Sequence, residues 1–152
     1  SIQFMEKAFI DMVVNTLKTT GINPKNLELE ITESVALYKE EEVISKLEEL
    51  KNLGVRVSID DFGTGYSSLK YLQKFKIDGL KIDKAFIDNI NENSSIAKSI
   101  ISMAENLGVY VIAEGVETVE QVNCLRSLKC QYIQGYYYGK PVPPDGFDLK
   151  IS

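Results

Sequence analysis

One repeated pattern restricts the fold of this chain more than any other. Asn52-Leu53-Gly54-Val55-Arg56-Val57 recurs as Asn106-Leu107-Gly108-Val109-Tyr110-Val111. Each copy reads as a helix end, a stop glycine and the start of an alternating strand. Each leads to an acid six residues past its glycine, Asp60 in the first and Glu114 in the second. Two helix–strand units of the same construction imply a parallel sheet joined by helical crossovers.

The rest of the chain extends that alternation. Phe4, Met5, Ala8, Phe9, Met12, Val13, Thr16 and Leu17 predict an amphipathic helix over residues 4–20, stopped by Gly21. Beyond Pro24, Leu27, Leu29 and Ile31 alternate with Glu28, Glu30 and Thr32 as a strand. Val43, Leu47 and Leu50 stripe a helix over residues 39–53, and Val55, Val57 and Ile59 mark the next strand. Phe62-Gly63-Thr64-Gly65-Tyr66 is loop chemistry, and Leu69, Leu72 and Phe75 predict a short helix. Leu80 and Ile82 flank Lys81 in a third strand. Ile96, Ile100, Met103 and Leu107 form another helix, and residues 109–113 a fourth strand. Thr118 and Gln121 make a capping box for a helix reaching Leu128, before a short strand at Tyr132 and Ile133. The tail from Pro141 to Pro144 is irregular. Five strands are expected. No Gly-x-Gly-x-x-Gly fingerprint follows a strand, which favours a TIM-like (β/α) barrel over a doubly wound dinucleotide-binding sheet.

Strand parity then gathers the acids. If the apolar positions pack on the helices, Glu28 and Glu30, Ser58 and Asp60, Lys81 and Asp83, and Glu114 face the barrel axis. A lone acid at a strand end is ordinarily a solvated group or a helix cap. Four converging by independent parity are different, because crowded carboxylates repel unless a cation binds them. The chain has no histidine, so a metal would take oxygen ligands: Mg²⁺ or Mn²⁺, with Ca²⁺ possible. Adjacent Asp60 and Asp61 suit two ions, and two-metal sites serve phosphoryl chemistry. The net charge of −5 with no basic cluster argues against a DNA- or RNA-binding surface. No apolar run approaches a membrane span, so membrane contact by this domain is not expected. Two cysteines, Cys124 and Cys130, do not make a disulfide framework, and a cytoplasmic setting is expected, with tethering of a parent protein left open. Both read as packed thiols. Glu28 and Arg56 read as a buried ion pair deeper in the barrel, and one or two rings of Tyr136-Tyr137-Tyr138 as core or edge cover.

The motifs also resemble a known family. Residues 27–34 (LELEITES), 58–69 (SIDDFGTGYSSL), 80–83 (LKID), 113–118 (AEGVET) and 134–136 (QGY) resemble, in order, signatures of EAL-type cyclic di-GMP phosphodiesterase domains. The resemblance implies a TIM-like barrel that hydrolyses cyclic di-GMP to linear pGpG with Mg²⁺ or Mn²⁺ in a two-metal site, Ca²⁺ being inhibitory. It implies Glu30, Asp60, Asp61 and Glu114 as metal ligands, with Glu114 and Lys81 catalytic. Lys81 would hold the attacking water or a phosphate oxygen, and Glu114 would act as general base. Gln134, Asp83 and Glu117 would support substrate, and Glu33 would anchor the loop after Asp61. The alternative is a catalytically inactive cyclic di-GMP receptor.

The Glu-Ala-Leu motif and an asparagine on the following strand are absent from these 152 residues. Residues 1–152 are therefore expected to be the C-terminal part of an EAL-type domain, with five of eight barrel strands and little activity alone. Exposed sheet edges lead us to expect a homodimer or other oligomer. The resemblance implies a sensor or GGDEF-type domain upstream in the parent.

Overall fold

A computed structural model describes residues 2–36, 40–65 and 72–143. Its elements are α1 (Ile2–Met5), α2 (Phe9–Thr20), a 3₁₀ turn (Pro24–Asn26), β1 (Glu28–Thr32), α3 (Glu33–Ala36) and α4 (Glu40–Leu53). There follow β2 (Arg56–Phe62), β3 (Gly79–Ile82), α5 (Lys84–Ile87), α6 (Ser95–Leu107), β4 (Tyr110–Ala113), α7 (Val119–Ser127) and β5 (Tyr132–Ile133).

The five strands form one parallel sheet in the order β1-β2-β3-β4-β5. Each strand lies beside its predecessor, with no reversal of order. That is the arrangement of a barrel wall; a doubly wound sheet reverses at a switch point. Among the described residues, the expected α/β class and the five expected strands both hold.

The helix-facing side is apolar, as parity requires. Val57, Ile59, Leu80, Ile82, Val111 and Ala113 are all buried. Val43, Leu47 and Leu50 of α4, Ile100, Ile101 and Ala104 of α6, and Val122 and Leu125 of α7 belong to the same core. Each fully buried Leu or Ile contributes roughly 1.5–3 kcal/mol over exposure. Gly21 and Gly108 end α2 and α6 in left-handed conformations, where a Cβ is costly. Thr118 and Gln121 make the expected capping box, closing both ends of the reciprocal bond.

The structure departs from the sequence reading in three places. The helix expected over residues 4–20 is two helices, broken at residues 6–8. The buried Lys46 ammonium donates to the carbonyls of Phe4 and Glu6, both at 2.9 Å, which stabilises the break. Two four-residue helices, α3 and α5, were not foreseen; one turn is too short to show a period. The three tyrosines at 136–138 are exposed, not packed: Tyr137 meets Tyr138 edge-on, and Lys140 sits 5.5 Å from the Tyr136 ring centre. The short helix expected around Leu69 lies largely outside the described residues, as does the irregular tail beyond residue 143. Leu72 and Phe75 themselves are buried. Among the described residues, no helix is long and apolar enough to cross a membrane.

Candidate metal centre

The acids collect where the strands end. Lys81, near the end of β3, is 4% exposed, and its ammonium is the hub. It lies 2.7 Å from Glu30 Oε2, 3.0 Å from Asp60 Oδ1 and 2.7 Å from Glu114 Oε1. These partners come from β1, β2 and the residue after β4, so three strand pairings set the geometry. The backbone of Glu114 donates to the Ile82 carbonyl, extending the β3–β4 ladder one step to the acid.

Parity accounts for Asp60 but not for Asp61, since neighbours in a strand point to opposite faces. A register shift between β2 and β3 from Ile59 to Phe62 breaks the alternation there. Asp61 also adopts φ of 54°, a left-handed conformation uncommon for a residue with a side chain. The result is a group of Asp60, Asp61 and Glu114 whose ligand oxygens all lie within 4.8 Å of one another.

The electrostatics follow from that crowding. Burial raises the Glu114 carboxyl above its ordinary value, against the pull of Lys81. Asp61 is raised too, by burial first and then by Asp60 and Asp83. Burial alone would lower the Lys81 ammonium, but its bonds to Glu114, Glu30 and Asp60 outweigh that and hold it well above the usual lysine range. Asp60 Oδ1 is buried and pairs with the Lys81 ammonium at 3.0 Å. A buried carboxylate oxygen in ion contact with Lys81, beside two more acids within 4.8 Å, is the donor set a hard divalent cation satisfies. Asp60, Asp61 and Glu114 therefore fit such an ion. Glu30 joins the cluster through Lys81 and lies outside that group of three.

The remaining sequence-predicted residues ring this centre. Glu33 is 3% exposed, and its Oε2 accepts from the backbone N–H of Gly63 at 3.0 Å and Gly65 at 3.1 Å. It thus ties the start of the loop after Asp61 to α3. Asp83 caps α5 by accepting from Ala85 N–H at 2.7 Å and faces Asp61. Glu117 pairs with Lys84. Gln134 is exposed on a shallow pocket of about 310 Å³ beside Glu114, lined also by Lys84, Gly115, Glu117, Gly135 and Tyr136. Backbone bonds strap Gln134 to Ala113 and Val116, and a Cβ at Gly135 would lie 2.1 Å from the Val116 carbonyl oxygen. The Glu28–Arg56 pair is looser than expected: 3.9 Å, with half of the Arg56 side chain exposed.

Sequence reasoning missed Lys84. Its stem covers Gly115 and its ammonium meets Glu117 and Asp88. Nothing in the local pattern marks it, since the contact crosses more than thirty residues to Glu117.

The EAL domain family model matches residues 1–141. The chain is 45% identical over 139 residues to the cyclic di-GMP phosphodiesterase NbdA of Pseudomonas aeruginosa, covering 90% of this chain and 18% of that protein. The chain spans about a fifth of the length of curated relatives such as NbdA. Among solved structures, the cyclic di-GMP complex of the PaMucR phosphodiesterase superposes with a TM-score of 0.91 at 39% identity, covering 95% of this chain and 60% of that one. A manganese and cyclic di-GMP complex of Klebsiella pneumoniae BlrP1 gives 0.83 at 30% identity, covering 91% of this chain and 36% of that one. Matched along nearly its whole length in sequence and in fold, the chain belongs to the EAL domain family.

Proposed function

We propose that this chain supplies the metal-binding half of a site that hydrolyses cyclic di-GMP to linear pGpG. The observation that carries the reading is the Lys81 ammonium gripped by Glu30, Asp60 and Glu114, with Asp61 beside them at the strand ends. Asp60, Asp61 and Glu114 would hold Mg²⁺ or Mn²⁺, with Glu30 as a further ligand. When bound, such ions lower the pKa of a coordinated water and steady charge on a phosphodiester. Lys81 has three ammonium protons and orients either the attacking water or a phosphate oxygen. Glu114, with its raised pKa, is suited to accept a proton from that water. Glu33 holds the Gly63–Gly65 turn, and with it the position of Asp61. Gln134 and Tyr136 line the pocket beside Glu114, where a guanine or ribose would rest. The manganese and cyclic di-GMP held by a relative of this fold support the assignment.

Two measurements test it. Manganese binding followed by electron paramagnetic resonance should be strong in the wild type and largely lost in Asp60→Asn. Chromatography of cyclic di-GMP incubated with Mn²⁺ and a full-length parent protein carrying this chain should show the linear product, and Glu114→Gln should abolish it. Undiminished manganese binding by Asp60→Asn would refute the ligand set. Wild-type turnover by Glu114→Gln would remove the role given to Glu114.

A further inference from the structure

Glu114 stands just beyond β4 and opens a turn, residues 114–117, that reaches α7 without regular structure. Its own N–H is tied to β3 through the Ile82 carbonyl. Gly115 follows with φ of 68°, a left-handed conformation that sets where the chain goes after the acid. Further along, Val116 N–H donates to the Gln134 carbonyl at 3.1 Å, and Glu117 N–H donates to Gln121 Oε1 at 2.8 Å. Those bonds hold the turn from β5 and α7. Lys84 holds it from α5.

Lys84 meets the turn at two points. Its side chain lies flat over Gly115: a Cβ there would be 2.7 Å from Lys84 Cβ, 2.4 Å from Cγ and 2.6 Å from Cδ. The ammonium then reaches past Gly115 to Glu117 Oε1 at 2.5 Å, with Asp88 Oδ1 at 4.0 Å one helical turn along α5. The residue before Lys84 is Asp83, which caps α5 and faces Asp61. The start of α5 thus meets the acid group from both sides, at Asp61 through Asp83 and at the turn after Glu114 through Lys84. The far end of α5 is held as well, because Gln121 Nε2 donates to the Ile87 carbonyl at 3.1 Å. Half of the Lys84 side chain is exposed, so its ion pair adds little to stability. What it restricts is the path of the backbone next to Glu114.

We propose that Lys84 is a positioning residue for Glu114. It clamps the turn at Gly115 and Glu117, and so keeps the Glu114 carboxylate beside Asp60 and Asp61. The inference rests on the metal-dependent hydrolytic reading of that cluster and adds a residue that acts through Glu114. Lys84 also lines the pocket beside Glu114, so a substrate contact is the competing role. The two roles differ kinetically: a substrate contact acts on KM, whereas a displaced Glu114 acts on kcat and on metal affinity.

The test uses the full-length parent protein carrying this chain, as wild type, Lys84→Ala and Lys84→Met. Lys84→Ala removes the cover over Gly115 beyond Cβ together with the Glu117 bond, and Lys84→Met removes the charge alone. With Mn²⁺, kcat for cyclic di-GMP should fall about tenfold in Lys84→Ala while KM stays within about twofold, and Lys84→Met should lie between it and the wild type. Mn²⁺ affinity, read by electron paramagnetic resonance, should weaken in the same order, with melting temperatures close to that of the wild type. A raised KM at unchanged kcat would overturn the proposal, as would wild-type kcat and Mn²⁺ affinity in Lys84→Ala. If Lys84→Ala does not fold, wild-type values in Lys84→Met overturn it instead. A wild type that binds Mn²⁺ but leaves cyclic di-GMP intact would sink the hydrolytic reading, and the Mn²⁺ affinities would still decide the role of Lys84. No Mn²⁺ binding by the wild type would overturn both.

Discussion

Replacing Lys81 by Met deletes a cation gripped by three carboxylates while keeping most of the packed stem. The structure sets the magnitude. At 2.7 Å and an effective dielectric near 20, each short ammonium–carboxylate pair is worth about 6 kcal/mol before desolvation. Burying the ammonium offsets much of that, and Glu30 is half exposed and so partly screened. Breaking a buried ion pair from one side costs about 3–5 kcal/mol, and the partial exposure places this case near 3 kcal/mol. The assay is urea unfolding followed by circular dichroism, first with a chelator and then with saturating Mn²⁺. Lys81 and a metal compete for the same oxygens, so the variant should bind Mn²⁺ more tightly. Mass action should then shrink its deficit to about 1 kcal/mol. The denaturant slope should not change, since the exposed surface on unfolding is the same. A loss below about 1 kcal/mol in chelator would refute the reasoning, and so would an equal loss in both conditions.

Asp61→Gly should relieve the left-handed backbone and raise metal-free stability by about 1 kcal/mol, while weakening Mn²⁺ binding; thermal melts paired with a manganese titration check both signs. Gly135→Ala should cost about 1–3 kcal/mol, because its new methyl meets rigid backbone at Val116 and not a flexible side chain; an unchanged melting temperature would count against that contact. Glu114 has a folded pKa raised above its ordinary 4.5, so the folded state holds the proton more tightly. In chelator, its contribution to stability should therefore grow as pH falls through the raised value and level off below 4.5, and Glu114→Gln should lack that component in unfolding titrations. Lys81 has the opposite window: its contribution is complete below its ordinary 10.5 and is lost as pH rises through the higher folded value. Alkaline unfolding of the wild type should show that loss, and Lys81→Met should not.

Much of the wall of this barrel can be read from local pattern. Val57 and Ile59 against Ser58 and Asp60, or Val111 and Ala113 against Glu114, need only the period of a strand. The glycine stops at Gly21 and Gly108 and the Thr118–Gln121 box are equally local, because caps act within one turn. The break at residues 6–8 was hidden, since Lys46 reaches it from forty residues away. The Asp61 position was hidden for a different reason. Parity assigns it to the opposite face, and only the register shift and its left-handed backbone bring it back to Asp60 and Glu114. The place of the Tyr110 ring was invisible as well, because it lies where a side chain at Gly79 on the neighbouring strand would be.

By itself the sequence determined the helix–strand alternation, the parallel sheet, the inward rows and the oxygen-only chemistry of any metal bound there. These follow from short-range periodicity and from the absence of histidine. The tertiary structure decided the rest: that Lys81 stands among Glu30, Asp60 and Glu114, that Glu33 holds the loop amides, and that Tyr110 crosses Gly79. Distances between strands depend on register and bulges, and those are settled by packing across the whole sheet. No single strand carries them in its own residues.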